Sequence, residues 1–195
     1  MQPHRGTHHR DDAWSDVRDE QLLDLASRGD AAAVDAFVAR FGERVQGLLV
    51  RIVRDHAWAD DLLQEVLVRA LRDAHRFDDR WPMAVWLFRI ARNLALDLLR
   101  REGRHRRRND AAAARDAAAP AAVTTAEHRE FQVALEDALQ ELPETFRTVF
   151  LLRDGEGLSY EEIAAVLSIS AKTVSSRLHR ARQQLRALLQ EHLER

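Results

Sequence analysis

Polar and aromatic side chains recur at helical spacing between residues 86 and 100 of this 195-residue chain. The stripe consists of Trp86, Arg89, Asn93, Asp97 and Arg100, with Arg92 beside it. Guanidinium groups bind phosphate, and aromatic rings stack on unpaired bases. The pattern therefore suits a helix face that contacts single-stranded nucleic acid. The alternative is a solvated face with Trp86 packed beneath the neighbouring loop, and this segment alone slightly favours that alternative.

A second group of short or basic side chains follows a predicted turn between two helices. Ser159 with Glu162 predicts a capping box that begins a helix at Tyr160, and Ser170 suits the cap of the next helix. The outward side chains of that next helix are Ala171, Lys172, Ser175, Ser176 and Arg177. This layout is typical of a helix-turn-helix that reads DNA. A helical hairpin with a solvated basic face is the alternative.

A third group is acidic and lies on a helix predicted over residues 58–74. Asp60, Asp61, Gln64, Glu65 and Val68 share one face of it, because residues three and four apart are neighbours on a helix. Such a face suits a basic partner, although an acidic face is usually just solvated.

Enzyme chemistry finds little support in the sequence. The chain has no cysteine, which excludes a thiol nucleophile, a disulfide framework and a Cys-ligated zinc site. The motifs HExxH, GxSxG and GxxxxGK[ST] are absent, so a hydrolase or nucleotide-binding site is not indicated. His4, His8 and His9 would suit a metal, but we interpret their surroundings as a disordered tail. We therefore expect no catalysis, no cofactor and no metal.

The composition predicts an all-α protein. Glycine and proline are scarce, with seven and four residues, whereas the abundant Ala, Leu, Arg and Glu favour helices. The first residues carry no signal peptide, and no apolar run approaches the roughly 18 residues of a membrane span. We expect a soluble protein without membrane insertion.

Apolar periodicity predicts two small helical domains joined by a flexible linker. A stripe from Val34 to Ile52, which includes Val38, predicts one long helix. Helices over 58–74, with Leu62, Leu63, Val66 and Ala70 inward, and over 84–101 flank a loop at 77–82. Phe131, Leu135, Leu139 and Leu142 are expected to anchor the second domain. The expected divisions are a disordered tail over 1–18, a first domain over 19–108, a linker over 109–126 and a second domain over 127–195.

Three segments in order resemble a bacterial extracytoplasmic-function (ECF) sigma factor, the minimal two-domain class of the sigma-70 family. They are DDLLQEVLVRAL (60–71), WLFRIARNLALDLLRREGR (86–104) and LQELPETFRTVFLLRDGEGLSYEEIAAVLSISAKTVSSRLHRARQQLR (139–186). The resemblance covers about residues 20–108 and 127–190. Three ordered motifs are more specific than a lone helix-turn-helix.

The resemblance implies a factor that binds RNA polymerase core and directs promoter-specific initiation. Its region-two domain would bind the clamp helices of the largest polymerase subunit through Asp61, Gln64 and Glu65. Recognition and melting of the −10 element would involve Phe77, Arg80, Trp81, Trp86, Arg89, Arg92, Asn93, Asp97 and Arg100. Its region-four domain would read the −35 element through Ala171, Lys172, Thr173, Ser175, Ser176, Arg177 and Arg180, and would touch the polymerase flap. An anti-sigma factor is a further partner compatible with the family.

Two departures limit what the resemblance implies about base contacts. The family often has Gly-Thr-Val-Lys-Ser where this chain has Lys172-Thr173-Val174-Ser175-Ser176, so one basic residue is displaced by three positions. Ser168 stands where a turn glycine is common.

A stand-alone helix-turn-helix regulator remains the alternative function, but it gives no role to the acidic group or to Trp86. A recombinase-like enzyme would need a nucleophile constellation that is absent.

The predicted linker length points to a partner that holds the domains apart. Some 18–22 residues span at most roughly 60–75 Å when extended, but only about 25 Å as a relaxed coil. Promoter elements one and a half to two DNA turns apart are separated by about 50–70 Å. Because stretching the linker costs entropy, we expect weak promoter binding by the free protein.

Overall fold

The computed structural model describes residues 12–106 and 126–193, with side chains described over 14–102 and 131–190. The chain divides into two compact units, Met1–Ala113 and Ala114–Arg195. The division falls within the predicted linker at 109–126, most of which lies outside the described residues. Every regular element in the described ranges is helical, which confirms the predicted all-α class.

Over residues 12–106, the first unit contains five α-helices and a short connecting turn. They are α1 (Asp12–Ser15), α2 (Asp19–Ser27), α3 (Ala31–Val53), α4 (His56–Arg72), a 3₁₀ turn (Ala74–Arg76) and α5 (Met83–Arg106). Side chains of Asp30 and Asp55 cap α3 and α4 by accepting bonds from Ala33 N and Trp58 N. Such caps satisfy backbone donors that a helix start leaves without partners. They fix where the two long helices of this unit begin.

Helix α3 forms the centre of the first unit, packing against α2, α4 and α5. Phe37, Leu49 and Phe88 are almost completely buried there. Fully buried alanines at Ala59 and Ala91 allow the neighbouring helices to approach closely. Some members of the predicted inner stripes are not fully buried. Val38 is 38% exposed, and Val34 and Leu63 are half-buried, because each lies at the edge of its helix's buried face.

Residues 12–18 depart from the expected disordered tail. Helix α1 occupies residues 12–15, and Arg40 of α3 holds the segment after it. Its Nη1 donates to the Val17 carbonyl at 2.8 Å and to Asp19 Oδ1 at 2.7 Å, and its Nη2 donates to the Trp14 carbonyl. Polar bonds to a distant helix hold this segment, so its order did not show as apolar periodicity in the sequence. The three histidines of the predicted tail lie outside the described residues.

The second unit is built around its longest helix. Its elements are α6 (Ala126–Glu141), α7 (Glu144–Phe150), a π-helical turn (Leu151–Gly155), α8 (Tyr160–Leu167) and α9 (Ala171–Leu193). Helix α9 packs against α6, α7 and α8, and its Val174 and Leu178 are buried. The expected anchor Phe131 is instead 47% exposed. The expected anchors Leu139 and Leu142 are buried, as predicted. Buried Ala134 and Ala138 complete the inner side of α6, and these small residues let α6 approach its neighbours closely.

Candidate nucleic-acid interface and acidic partner face

The acidic face is the outer side of α4, defined by Asp60, Asp61, Gln64, Glu65 and Val68. Its orientation follows from the opposite side of the helix, where Ala59, Leu62, Val66 and Ala70 are buried. Successive residues turn by about 100° around an α-helix, so Asp61, Gln64 and Val68 lie farthest from that buried side. Asp61 and Gln64 are exposed, and the isopropyl group of Val68 is also open to solvent, with 58% of the residue exposed.

The flanks of the acidic face are tied to neighbouring side chains. Gln46 Nε2 of α3 donates to Asp60 Oδ1 at 2.6 Å. Arg69 Nε donates to Glu65 Oε1 at 2.6 Å, one turn along α4. Glu65 is therefore a half-exposed and paired carboxylate. The centre combines the charge of Asp61 with the apolar surface of Val68. Val68 was placed on this face by its spacing, but it was not among the residues predicted to bind polymerase.

The predicted stripe that begins at Trp86, which we term the basic stripe, lies along α5. Arg89, Asn93, Asp97 and Arg100 are exposed, because Leu87, Phe88, Ala91 and Ala95 occupy the buried side. Asp97 Oδ1 accepts a bond from Arg100 Nη1 at 3.0 Å, so the acid in this stripe is neutralised by its own helix. Arg92 is half-buried at the edge of the stripe.

Trp86 joins the stripe to the loop that precedes it. The rings of Trp86 and Phe77 meet edge to face, with centroids 5.5 Å apart and planes at 61°. Aromatic pairs favour this geometry. The contact brings together two of the predicted −10 residues, and it matches the alternative in which Trp86 packs against the loop. Both rings are half-buried.

Loop 77–82 is folded into a turn by Asp78. Asp78 Oδ1 accepts from the backbone N of Arg80 at 3.1 Å, and its carbonyl accepts from Trp81 N at 3.2 Å. The Arg80 side chain returns to the same carboxylate, with Nε at 2.9 Å from Oδ1 and 2.8 Å from Oδ2. The side-chain bond from Arg80 lowers the pKa of Asp78, and the reciprocal bond raises the pKa of Arg80.

The helix-turn-helix is formed by α8 and α9, as predicted. Ser159 Oγ accepts from Glu162 N at 3.2 Å, and Glu162 Oε2 accepts from Ser159 N at 2.7 Å, which completes the capping box. Ser168 ends α8 in the left-handed conformation, with φ of 55°. Ser170 Oγ then accepts from Thr173 N at 3.1 Å and caps α9. These bonds fix the turn that orients α9.

We term the outer side of the first three turns of α9 the recognition face. Its inner counterpart is buried at Val174, Leu178 and Ala181. Of the predicted residues, the exposed ones are Lys172, Ser175, Ser176 and Arg180, and the half-buried ones are Ala171, Thr173 and Arg177. Two hydroxyl groups already have local partners: Thr173 Oγ1 lies 2.8 Å from Ser170 Oγ, and Ser176 Oγ donates to the Thr173 carbonyl at 3.0 Å.

One arginine of α9 has a structural bond that periodicity did not reveal. Arg182 Nη2 lies 2.7 Å from Asp154 Oδ1 in the π-helical turn. The bond raises the pKa of Arg182. By contrast, Lys172, Arg177 and Arg180 make no ion pair within the part of the chain that the structure describes. The charge of Arg182 is therefore partly compensated, whereas the first turns of α9 present positive charge to solvent.

The described residues offer neither a metal centre nor a membrane span. In these ranges, no group of three or more His, Asp or Glu side chains could hold a metal ion. None of the helices in them is long and apolar enough to cross a membrane.

Comparisons with known proteins cover both units. Residues 37–105 match the family described as Sigma-70 region 2, and residues 132–185 match Sigma-70, region 4. The chain is 34% identical to the RNA polymerase sigma-H factor of Pseudomonas aeruginosa, over 89% of this chain and 94% of the relative. It is 37% identical to the ECF RNA polymerase sigma factor SigE of Mycolicibacterium smegmatis, over 93% and 73% of the two chains. The crystal structure of the sigma factor RpoE of Bartonella quintana, in complex with the anti-sigma factor NepR, has a TM-score of 0.67 and 28% identity over 76% of this chain and 91% of that one.

Proposed function

Since this chain belongs to the ECF class of the sigma-70 family, the factors that direct promoter-specific transcription initiation, we propose that its faces divide that task. The acidic face of α4 binds RNA polymerase. Loop 77–82 and the basic stripe of α5 engage the −10 element, and the recognition face of α9 engages the −35 element. The protein acts in the cytoplasm, at the nucleoid, and contributes no catalysis of its own.

Binding to polymerase core is assigned to the centre of the acidic face. Asp61 and Gln64 supply polar groups, and the exposed Val68 supplies apolar area that would be removed from water. A helical, basic partner such as the clamp helices of the largest subunit fits this combination. Glu65 joins through its outer edge, since Arg69 already holds one oxygen. Loss of such groups at a desolvated interface is costly.

Engagement of the −10 element is assigned to the junction of loop 77–82 with α5. Arg89 and Asn93 are exposed and can donate to phosphates and base edges, while Trp81 and Trp86 offer ring surface for stacking. The edge-on contact of Trp86 with Phe77 leaves a half-exposed aromatic pair beside these donors. Such a surface favours strands that have already lost their pairing, which is consistent with a role in melting.

Engagement of the −35 element is assigned to the capped start of α9. Short side chains at Ser175 and Ser176 allow the helix to approach base edges, and Lys172, Arg177 and Arg180 reach toward phosphates. The amino-terminal turns of a recognition helix are the part that enters the major groove. Contact of the same unit with the polymerase flap is part of the proposal.

The observation that carries this proposal is the presence of two exposed faces of different chemistry in one chain, the acidic face of α4 and the recognition face of α9. A stand-alone regulator would need the recognition face alone, whereas this chain also carries an acidic face with an exposed valine at its centre. A solved relative was crystallised with an anti-sigma factor, and we propose that this chain has a partner of the same class.

Capture of purified core polymerase by the full chain, followed by transcription from a genomic promoter library, tests the proposal. We expect the chain to bind core and to direct initiation from a restricted set of promoters sharing −10 and −35 sequences. Tight promoter binding by the chain alone, without core capture, would favour the stand-alone regulator instead.

A further inference from the structure

Asp78 makes more bonds within loop 77–82 than a turn of this length requires. Its carboxylate accepts the backbone N of Arg80 as well as Nε of the Arg80 side chain, and its ion pair with Nη2 completes a two-pronged contact. Turn-forming aspartates commonly bond the backbone two residues on. The additional capture of a guanidinium is specific to the residue at position 80, since a planar fork matches both carboxylate oxygens.

We propose that Asp78 is a positioning residue that holds Arg80 in the free protein and competes with nucleic-acid phosphate for its guanidinium. This inference rests on the proposed assignment of loop 77–82 to the −10 element. Phosphate binds arginine with the same two-pronged geometry as carboxylate. A strand that contacts Arg80 must therefore displace Asp78, which lowers the affinity of the loop for single-stranded DNA of any sequence.

The surroundings of the pair make this competition local. The Arg80 side chain is 81% exposed and the Asp78 side chain 43% exposed, so a DNA backbone can reach both. Asp79 is also exposed, but it acts on Arg80 through long-range attraction only. The Phe77–Trp86 contact and the bond from Val85 N to the Pro82 carbonyl, at 2.9 Å, hold the two ends of the loop. The turn thus presents Arg80 in one place while its charge is compensated.

The test measures binding of the full chain to a short fluorescein-labelled oligo-dT strand by anisotropy at several salt concentrations. Asp78→Asn should raise affinity about twofold to fivefold, the range that exposed ion pairs span. It should also steepen the salt slope by about 0.7, because one more phosphate contact forms.

Two controls isolate the pair. Asp79→Asn removes the same charge one residue away and should change affinity and slope less. In an Arg80→Gln background, Asp78→Asn should no longer raise affinity. The proposal is overturned if Asp78→Asn behaves like Asp79→Asn, or if its gain persists without Arg80.

A further variant separates this proposal from the assignment on which it rests. Arg89→Gln should weaken oligo-dT binding if the junction of the loop and α5 contacts single strands. If it binds like the wild type, the −10 assignment fails, and the role of Asp78 fails with it. If Arg89→Gln weakens binding while Asp78→Asn matches Asp79→Asn, only the role of Asp78 is wrong.

Discussion

The acidic face of α4 and the recognition face of α9 are built on the same plan but differ in chemistry. Each is the outer side of a helix whose opposite side is buried. The buried side includes Val66 in the first unit and Val174 in the second. At the centre of the acidic face, Val68 is exposed beside Asp61. The centre of the recognition face is hydroxyl-bearing and basic. Under the proposed function, the first face would bind a protein by removing apolar area from water, and the second would bind a polyanion by charge.

This comparison also predicts that salt weakens binding by the two faces to different extents. Binding through phosphate neutralisation weakens steeply as salt rises, since counterions are released. Binding through a desolvated protein interface depends on apolar burial and on a few charges, and is screened less. The two faces should therefore separate in experiments that vary salt or remove one type of side chain at a time.

The largest effect is expected from Leu178→Ala, which removes the support of the recognition face while leaving the acidic face intact. Leu178 is 1% exposed in the core of the second unit, and such truncations cost about 2–5 kcal/mol. Thermal melting of the full chain should show a destabilised second unit, and promoter-dependent transcription should fall sharply. Capture of core polymerase should persist. The exposed Gln183→Ala on the same helix is the matched control, and equal loss of core capture and transcription would contradict the separation.

A smaller effect is expected from Val68→Lys on the acidic face. Placing a charge where a valine is buried at an interface should weaken core binding by about 1–2 kcal/mol, roughly tenfold. Melting should be unchanged because Val68 is exposed in the free protein. Leu25→Lys, which alters another exposed aliphatic residue of the first unit, is the control. Competition for core equal to that of the wild type would show that Val68 lies outside the interface.

Lys172→Ala tests whether the recognition face binds DNA through a base contact or through a phosphate contact. If Lys172 reads a base, affinity for the −35 sequence should fall by about 1–3 kcal/mol and specificity should relax at one position. If it contacts a phosphate, affinity should fall evenly across sequences and the salt slope should decrease by about one. Arg182→Gln should change the slope less, because Asp154 already compensates that charge. An unchanged Lys172→Ala complex would remove this residue from the groove.

The smallest effect concerns the backbone at the ends of α3 and α8, where Arg54 and Ser168 both adopt the left-handed conformation, with φ of 60° and 55°. Glycine adopts it without steric cost. Ser168→Gly should raise the stability of the second unit by about 0.5–1 kcal/mol, measured by urea unfolding. Arg54→Gly should gain less, since the Arg54 side chain is partly buried and has partners that would be lost. Destabilisation by Ser168→Gly would contradict the conformational argument.

Local patterns in the sequence predicted the helices and most of the turn between α8 and α9. The capping box of Ser159 with Glu162 and the cap at Ser170 require residues only three positions apart, and the buried stripe of α9 follows from its period. The positive φ of Ser168 agrees with its place at a position where glycine is common in the family.

Bonds between distant residues could not be predicted from the same patterns. Arg40 bonds the backbone of Trp14 and Val17 more than twenty positions away, and Arg182 bonds Asp154 at a separation of 28 positions. In the sequence, neither residue type nor position on its helix distinguishes Arg40 or Arg182 from arginines that are solvated. Phe131 was expected in the core because it is large and apolar, but the inner side of α6 is formed by Ala134, Ala138 and Leu139.

The central claim is that the acidic face binds polymerase core, and charge reversal at Asp61 and Glu65 tests it most directly. Asp61 is exposed, and the Glu65–Arg69 ion pair is partly exposed at the surface, so these substitutions should change stability by about 1 kcal/mol or less. Removing a charged group from a desolvated interface costs about 2–5 kcal/mol. The measurement is competition of the Asp61→Arg, Glu65→Arg double variant with labelled wild type for core. Asp35→Arg with Glu43→Arg, two exposed acids of α3, is the control. We predict near-normal melting, loss of competition and loss of promoter-specific transcription for the first pair alone. A folded Asp61→Arg, Glu65→Arg variant that competes like the wild type would contradict the account.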